Sequence, residues 1–226
     1  MFCENSFRIL GDHGLNYTNP AWAMDIRHIM ILYNILLASP YRRVLEIGSH
    51  YGASTTAFIE ALNQGCQFEL HLCDIEFLDS VHRLCFDQHQ HGRVFYHEMP
   101  SARFLPDAPP FDFALVDGSH IAEHVQDDFE YLSMNNTGSY LLHDVRTQLL
   151  PESKEEPWYD GPLFLRNRLL ASPDWMCIED CVDRKKELTK RGILFATRSA
   201  NEYSKALSIF RYWETLTYDE LIALVR

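Results

Sequence analysis

The sequence predicts an α/β fold: a doubly wound, Rossmann-like sheet of seven strands, mostly parallel with a reversed last strand, and helices on both faces. Short apolar, β-capable runs alternate with helix-compatible segments along most of the 226 residues, which is typical of βαβ units and a parallel sheet. The last two runs flank only a charged turn, 183–191, which favours a hairpin over another crossover. The predicted strands are 44–47, 68–75, 93–98, 111–116, 139–142, 175–182 and 192–197.

The N-terminal part of the chain is expected to add one helix that packs beside the sheet. Residues 1–18 show no clear pattern. Asn19 and Pro20 then fit an N-cap followed by proline at N1, and apolar residues recur at helical spacing until Pro40. We expect core packing as the main role of this helix, with a share in a substrate lid as the alternative.

A strand, a glycine turn and a helix follow one another within 43–58. The run 44–47 is β-capable, Gly48 and Gly52 form the turn, and 55–62 is compatible with a helix. In an open α/β sheet this crossover brings backbone N–H groups and the positive end of a helix to the carboxyl edge of the strands, where ligands bind. Glycine is required there if the ligand approaches the backbone closely or if φ is positive.

The spacing of these glycines distinguishes between ligands. Dinucleotide-binding loops have Gly-x-Gly-x-x-Gly and phosphate-binding loops end in Gly-Lys-Ser/Thr, and this loop has neither pattern. Its Glu-x-Gly-x-x-x-Gly instead resembles the AdoMet-binding loop of class I methyltransferases, which wraps the methionine part of the cofactor. An ordinary βα turn with two permissive glycines is the alternative. The resemblance implies cofactor contacts from seven residues: Glu46, Gly48, Ser49, His50, Tyr51, Gly52 and Ser54.

The second strand ends on an acid, Asp74. In doubly wound folds an acid at this place accepts hydrogen bonds from a ribose, because a carboxylate suits two vicinal hydroxyl donors. Asp74 is therefore the expected ribose ligand, and Glu76 is the reserve candidate. The alternative is that Asp74 caps the following helix, 78–89.

The adenine end of the cofactor is assigned to residues beside these strand ends. Ile75, directly after Asp74, is expected to contact the cofactor. Met99 and Ser101 follow the third strand. At this place the resembled family sets groups against the adenine, which implies the same role for these side chains. Met99 as an ordinary core residue is the alternative.

Two later strands each run into an aspartate, Asp117 and Asp144. In parallel neighbours such strand ends face one pocket, where two carboxylates repel each other unless a positive group lies between them. Mg²⁺ is the simplest such group, because it binds oxygen ligands and takes only one or two carboxylates. The sequence therefore predicts a Mg²⁺ site at these aspartates. The alternative is that one binds backbone amides and the other caps the helix that begins near Ile121.

A histidine lies beside this acidic pair. His120 follows Asp117 by three residues on the same turn, so its imidazole is expected to act as a general base for a hydroxyl group, with Asp117 as its catalytic partner. His143 is the second candidate for the base, or a partner of the metal ligands. His50, inside the glycine loop, is expected near the cofactor.

The segments 111–120 and 138–145 give a more specific resemblance. They read Phe-Asp-Phe-Ala-Leu-Val-Asp-Gly-Ser-His and Gly-Ser-Tyr-Leu-Leu-His-Asp-Val. With the glycine loop and Asp74, they resemble class I AdoMet-dependent methyltransferases grouped with macrolide and macrocin O-methyltransferases and cephalosporin-hydroxylase-like proteins. The resemblance covers roughly 43–197.

The resemblance implies Asp117 and Asp144 as Mg²⁺ ligands and His120 as the base. The sequence also departs from relatives of the catechol type, which have lysine in place of His120 and asparagine where this chain has Val145. No third protein ligand for the metal can therefore be identified from the sequence.

The composition restricts the partners. A formal net charge of −12 opposes binding to a nucleic-acid backbone or an anionic membrane, so a small-molecule substrate is expected. The six cysteines show no metal-ligand spacing and are expected as free thiols in a reducing compartment. The N-terminus lacks a basic signal-peptide region, and the apolar run 29–38 is too short to span a bilayer, which predicts a cytoplasmic protein.

The C-terminal third has fewer motifs. A polar, proline-bounded stretch, 152–157, is expected to be a surface loop, with a substrate lid as the alternative. A helix at 162–171 precedes the hairpin, and two amphipathic helices, 201–216 and 217–225, are expected to end the chain.

These observations predict one methyltransferase-like domain: a packing or lid helix in 1–40, an AdoMet-binding core in 41–198 and a helical extension in 199–226. The leading hypothesis is an AdoMet-dependent O-methyltransferase (EC 2.1.1.-) for a small hydroxylated substrate of the sugar or natural-product type. One alternative is a non-methylating, hydroxylase-like metal enzyme of the same fold. Another is a catalytically silent binding module whose acidic surface and terminal helices mediate contacts in a homo-oligomer.

Overall fold

The computed structural model describes residues 24–145, 160–180 and 192–217, together with residues 220 and 223. These residues form seven strands: β1 (Arg43–Ile47), β2 (Glu69–Asp74), β3 (Val94–Glu98), β4 (Phe113–Val116), β5 (Ser139–His143), β6 (Met176–Glu179) and β7 (Ile193–Thr197). The α-helices in the same part of the chain are α1 (Ile26–Ala38), α2 (Thr55–Asn63), α3 (Asp79–Gln90), α4 (Ser101–Phe104), α5 (Ala122–Met134), α6 (Gly161–Ala171) and α7 (Ala200–Glu214).

All seven strands form one sheet in the order β3-β2-β1-β4-β5-β7-β6. Strands β1 to β5 are parallel, whereas β7 is antiparallel to both of its neighbours, β5 and β6. The predicted doubly wound sheet with a reversed last strand is therefore confirmed. The strand order changes direction between β1 and β4, so the ends of these two strands border the crevice where such sheets bind ligands.

Both faces of the sheet are covered, which explains why the central strands are apolar nearly throughout. Alternate residues of β1 show the two sides: Val44 packs in a core with α1, α2, α3 and α7, whereas Leu45 packs in a second core with α4, α5 and α6. The period-two alternation of strand side chains thus fills two separate layers. Within the described residues, no helix has the length and apolar character needed to cross a lipid bilayer.

The first described helix begins later than the sequence predicted. Helix α1 starts at Ile26, and the Asp25 carboxylate caps it by accepting from Arg27 N at 2.7 Å. The prediction placed Met24 and Asp25 inside the helix, which was wrong because Asp25 caps a helix that begins after it. Asn19 and Pro20 themselves, the loop 152–157 and most of the last predicted helix lie outside the described residues.

Helix α1 is fixed to the C-terminal helix by a buried arginine. The Arg27 guanidinium donates from Nη1 to the carbonyl of Trp213 and from Nη2 to the carbonyl of Leu216, the latter at 2.9 Å. Carbonyls in the last turn of a helix have no partner within the helix, so Arg27 satisfies the buried Trp213 carbonyl of α7 and the Leu216 carbonyl just after it. This contact joins residues 186 and 189 positions apart in the sequence.

We expect Arg27→Met to lower the free energy of unfolding by about 1–3 kcal/mol, because it leaves buried carbonyls without their charged donor. Urea unfolding of the parent and the variant measures this difference. Arg103→Met, which changes an exposed arginine, is the control and should stay within about 0.5 kcal/mol of the parent. An equal effect of both substitutions would contradict the capping role of Arg27.

Candidate functional site

The glycine loop between β1 and α2 lies directly against the end of β4. Gly48 has φ +87°, and a Cβ added to it would lie 2.3 Å from the carbonyl oxygen of Asp117. Its N–H donates to the carbonyl of Cys73, on β2, at 3.0 Å. Gly52, with φ +89°, closes the loop by donating to the Ser49 carbonyl at 2.7 Å. The loop therefore requires glycine at position 48 for both its conformation and its close approach to β4.

We expect Gly48→Ala to destabilise the protein by about 2–5 kcal/mol, because the strain of a positive φ adds to a clash with backbone atoms. Gly65→Ala is a matched control, since Gly65 has φ +97° but no atom within 4 Å of a Cβ added to it. The control should show only the conformational strain, about 1–2 kcal/mol. Urea unfolding compares the two variants, and equal losses would contradict the contact with β4.

Glu46 is buried beneath this loop, where three hydroxyl groups surround its carboxylate. Oε2 accepts from Thr55 Oγ1 at 2.7 Å and from Ser49 Oγ at 3.3 Å, and Oε1 accepts from Ser54 Oγ. Burial raises the pKa of Glu46 to about 8, and the negative charge of Asp117 acts in the same direction, although the hydroxyl donors oppose it. Glu46 thus connects the end of β1 to the loop and to the first turn of α2. Its direct contact with a cofactor stays a prediction.

The raised pKa of Glu46 gives a defined pH dependence. Between about pH 4.5 and 8 the unfolded chain has lost this proton and the folded protein keeps it, so this group's contribution to stability falls as pH rises. We therefore expect Glu46→Gln to gain stability relative to the parent across this window, by at most about 1.4 kcal/mol per pH unit. Urea unfolding from pH 5 to 9 tests this, with exposed Glu123→Gln as the control. Parallel profiles for Glu46→Gln and the parent would contradict the assignment.

Asp74, at the end of β2, holds the same loop from the other side. Its Oδ2 accepts from Ser49 N at 2.8 Å and from His50 N at 3.0 Å, while Oδ1 accepts from Ile75 N at 2.7 Å. The capping alternative does not apply, because α3 begins after Leu78 without a side-chain cap. The predicted contact of Asp74 with a ribose remains a prediction. Since a carboxylate oxygen can accept two hydrogen bonds, Oδ1 retains acceptor capacity.

The other residues predicted to contact the cofactor, Ile75, Met99 and Ser101, lie beside Asp74. The Ile75 side chain is 74% exposed at the end of β2, an apolar surface next to the loop. Met99 donates its N–H to the carbonyl of Asp74 at 2.9 Å and packs against the second core, and Ser101 begins α4. On the outer side of the loop, Tyr51 and Glu76 border an open cavity of about 480 Å³.

The ends of β4 and β5 bring Asp117, His120 and Asp144 together. One ligand atom from each of these side chains lies within 4.8 Å of the others, and His120 Nε2 is 3.2 Å from Asp144 Oδ2. The hydrogen bond to Asp144 raises the pKa of His120, whereas burial opposes this shift. Asp144 has φ +55°, a conformation that non-glycine residues adopt rarely and that occurs frequently at functional sites. The sequence predicted this cluster.

Two further histidines extend the cluster into the core. His143 Nδ1 is 3.0 Å from Asp117 Oδ1, and His143 Nε2 is 3.2 Å from His28 Nδ1 on α1. His28 Nε2 in turn lies 3.1 Å from Asp180 Oδ2, directly after β6. Of these residues, the sequence indicated His143 but not His28 and Asp180. A single histidine in an apolar helix gives no signal for partners 115 and 152 positions away.

The sheet order has the Rossmann-like arrangement of class I AdoMet-dependent methyltransferases, with the glycine loop and the acidic strand ends at its carboxyl edge. Residues 45–145, slightly less than half of the chain, match the model of a family described as a methyltransferase domain. A comparison of the sequence with curated proteins found no match.

Solved structures with the same fold include several methyltransferases. The O-methyltransferase TomG from Streptomyces achromogenes, involved in tomaymycin synthesis and solved with SAM, has a TM-score of 0.65 and 18% identity, covering 87% of this chain and 90% of its own. An O-methyltransferase from Bacillus cereus in complex with SAH has a TM-score of 0.65 and 17% identity, covering 86% and 90%. Cofactor-bound Rv0187 from MTB has a TM-score of 0.63 and 18% identity, covering 86% and 88%. At these identities the likeness establishes the fold.

Proposed function

We propose that this protein transfers the methyl group of AdoMet to a hydroxyl oxygen of a small molecule, as an enzyme of class EC 2.1.1.-. The observation that supports this most strongly is the convergence of the glycine loop, Asp74 and the Asp117–His120–Asp144 cluster on one edge of the sheet. The O-methyltransferases of like fold, two of them solved with SAM or SAH, add to this support. We extend the proposal to a cytoplasmic location and to no nucleic-acid or membrane partner, on the net charge of −12.

In this proposal the cofactor lies across the ends of β1, β2 and β4. The glycine loop follows the methionine part, and the remaining acceptor capacity of Asp74 Oδ1 is available to a ribose hydroxyl. The exposed Ile75 side chain offers an apolar face to the adenine. The sulfonium group carries a positive charge, which the neighbouring carboxylates at this edge favour.

A divalent cation fits the cluster at the ends of β4 and β5. Asp117 and Asp144 offer carboxylate oxygens and His120 offers an imidazole nitrogen, within 4.8 Å of one another. Two carboxylates suit Mg²⁺, and the additional nitrogen also suits Mn²⁺. Asp117 and Asp144 would hold the ion, which would lower the pKa of a bound hydroxyl group and offset the negative charge of the cluster.

The protein's own residues provide the proton transfer. We propose that His120 accepts the hydroxyl proton of the substrate while the oxygen forms a bond to the methyl carbon and the carbon–sulfur bond breaks, leaving AdoHcy. Asp144 stabilises the imidazolium that results, because its carboxylate lies 3.2 Å from His120 Nε2 and raises the pKa of this histidine. The N–H of Gly161, at the start of α6, donates to the His120 carbonyl at 2.9 Å and fixes this turn.

Calorimetry with AdoMet, with and without Mg²⁺ or Mn²⁺, tests the function together with a methyl-transfer assay on a panel of glycosylated and phenolic compounds. Binding of AdoMet and methylation of a panel member support the proposal. Metal binding without AdoMet binding would favour the hydroxylase-like alternative, and the binding of neither would favour a silent binding module.

We expect His120→Ala to lower kcat for the best acceptor of the panel by about 10²–10⁴-fold, with AdoMet affinity unchanged, because the variant lacks the base. His91→Ala is the control, since this exposed histidine follows α3 at the opposite edge of the sheet and should retain full activity. Measurement of Mn²⁺ affinity distinguishes the two roles of His120. An unchanged affinity supports the base, whereas a strongly reduced affinity would instead identify His120 as a metal ligand.

A further inference from the structure

A chain of four side chains runs from the acidic strand ends into the N-terminal helix. Asp117 Oδ1 lies 3.0 Å from His143 Nδ1, His143 Nε2 lies 3.2 Å from His28 Nδ1, and His28 Nε2 lies 3.1 Å from Asp180 Oδ2. We refer to Asp117, His143, His28 and Asp180 as the buried histidine chain. It joins β4, β5, α1 and the residue after β6, so four separate parts of the fold meet in it.

Most of the buried histidine chain is inaccessible to water. His143, His28 and Asp180 are 1%, 2% and 5% exposed, and only Asp117 reaches the surface of the site. The two imidazoles meet edge to face, with centroids 5.3 Å apart and planes at 76°, as expected for a nitrogen–nitrogen hydrogen bond rather than for stacking. A buried polar group without its hydrogen bonds costs about 1–3 kcal/mol. Apolar side chains could fill the same space without this cost. Because the buried histidine chain ends at Asp117, we expect it to support the cluster at the strand ends.

The Asp117 carboxylate needs such support. It shares the strand-end cluster with the Asp144 carboxylate, and two like charges turn away from each other when nothing holds them. His143 Nδ1 lies between them, 3.0 Å from Asp117 Oδ1 and 3.4 Å from Asp144 Oδ1. One nitrogen of the His143 ring thus contacts both carboxylates. The other nitrogen of that ring is held by His28.

We propose that His28 is a positioning residue for the methyl transfer: its Nδ1 fixes the ring of His143, and His143 holds the Asp117 carboxylate in the cluster with His120 and Asp144. Asp180 accepts from His28 Nε2 and sets the orientation of the His28 ring. The inference rests on the proposed function, because it assigns His28 a role in that reaction. It also makes α1 a supporting element of the site as well as a part of the core.

Two substitutions of His28 each keep one of its two hydrogen bonds and remove the other. Asparagine places an amide near the position of the imidazole Nδ1, and glutamine places one near the position of Nε2. His28→Asn therefore keeps a hydrogen-bonding partner for His143 and loses the contact with Asp180, whereas His28→Gln keeps the contact with Asp180 and loses His143. We expect His28→Gln to lower kcat about 10–100-fold with little change in KM for AdoMet, as is typical when the partner of a functional group is removed. His28→Asn should retain kcat within about threefold of the parent.

The experiment measures kcat and KM of the parent and both variants with the best acceptor of the panel, the urea unfolding free energy of each, and the ring N–H resonances of ¹⁵N-labelled histidine. The inference is supported if His28→Gln loses kcat and His28→Asn does not. His28→Gln should also lack the N–H resonance that the parent shows for the hydrogen bond between the two histidines. Equal kcat in parent and variants overturns it, and so does a loss that follows the unfolding free energy in both variants.

Asp180→Asn is a further variant, which retains an amide for His28 and should retain kcat. A parent that methylates no acceptor overturns the proposed function itself, a result that is visible before any variant is compared.

Discussion

Repulsion between carboxylates at the carboxyl edge of the sheet is the constraint on which the rest of the site depends. Asp74, Asp117 and Asp144 lie at or beside strand ends on that edge, and like charges in so small a space are unfavourable without compensation. Glu46, buried beside them, has a pKa raised to about 8 and so adds no charge below that pH. The fold compensates each one differently. Hydroxyl groups surround Glu46, backbone amides of the glycine loop bind Asp74, and imidazoles lie beside Asp117 and Asp144. The loop and the histidines are therefore positioned by the acids as much as by the apolar core.

This compensation links the glycine loop to the cluster of Asp117, His120 and Asp144. Gly48 touches the backbone of Asp117, and Asp74 holds the amides of Ser49 and His50, so the loop cannot move without displacing the ends of β2 or β4. A site of this kind is preorganised, because its polar groups are already directed by protein contacts before a ligand arrives. Preorganised polar groups are the main source of transition-state stabilisation in many enzymes, and alignment is most of what a methyl transfer requires.

The sequence predicted the sheet and most of the site because both depend on local patterns. Strand periodicity, the Glu46–Gly52 spacing and the acids at strand ends can each be recognised within a few residues. Met24 and Asp25 were wrongly placed inside a helix, since the apolar spacing continues across them although Asp25 caps α1. His28 and Asp180 could not be predicted, because their roles arise from contacts between α1, β5 and the end of β6 that no short-range pattern encodes. The substrate could not be predicted either, because it depends on the side chains of the site and not on the fold.

Consecutive residues of α1 point in two directions. Arg27 binds the carbonyls at the end of α7, and His28 binds His143 beneath the acidic strand ends. One helical turn thus connects the end of α7 to the strand-end cluster through two neighbouring side chains. A displacement of α7 would therefore act on the same turn that carries His28.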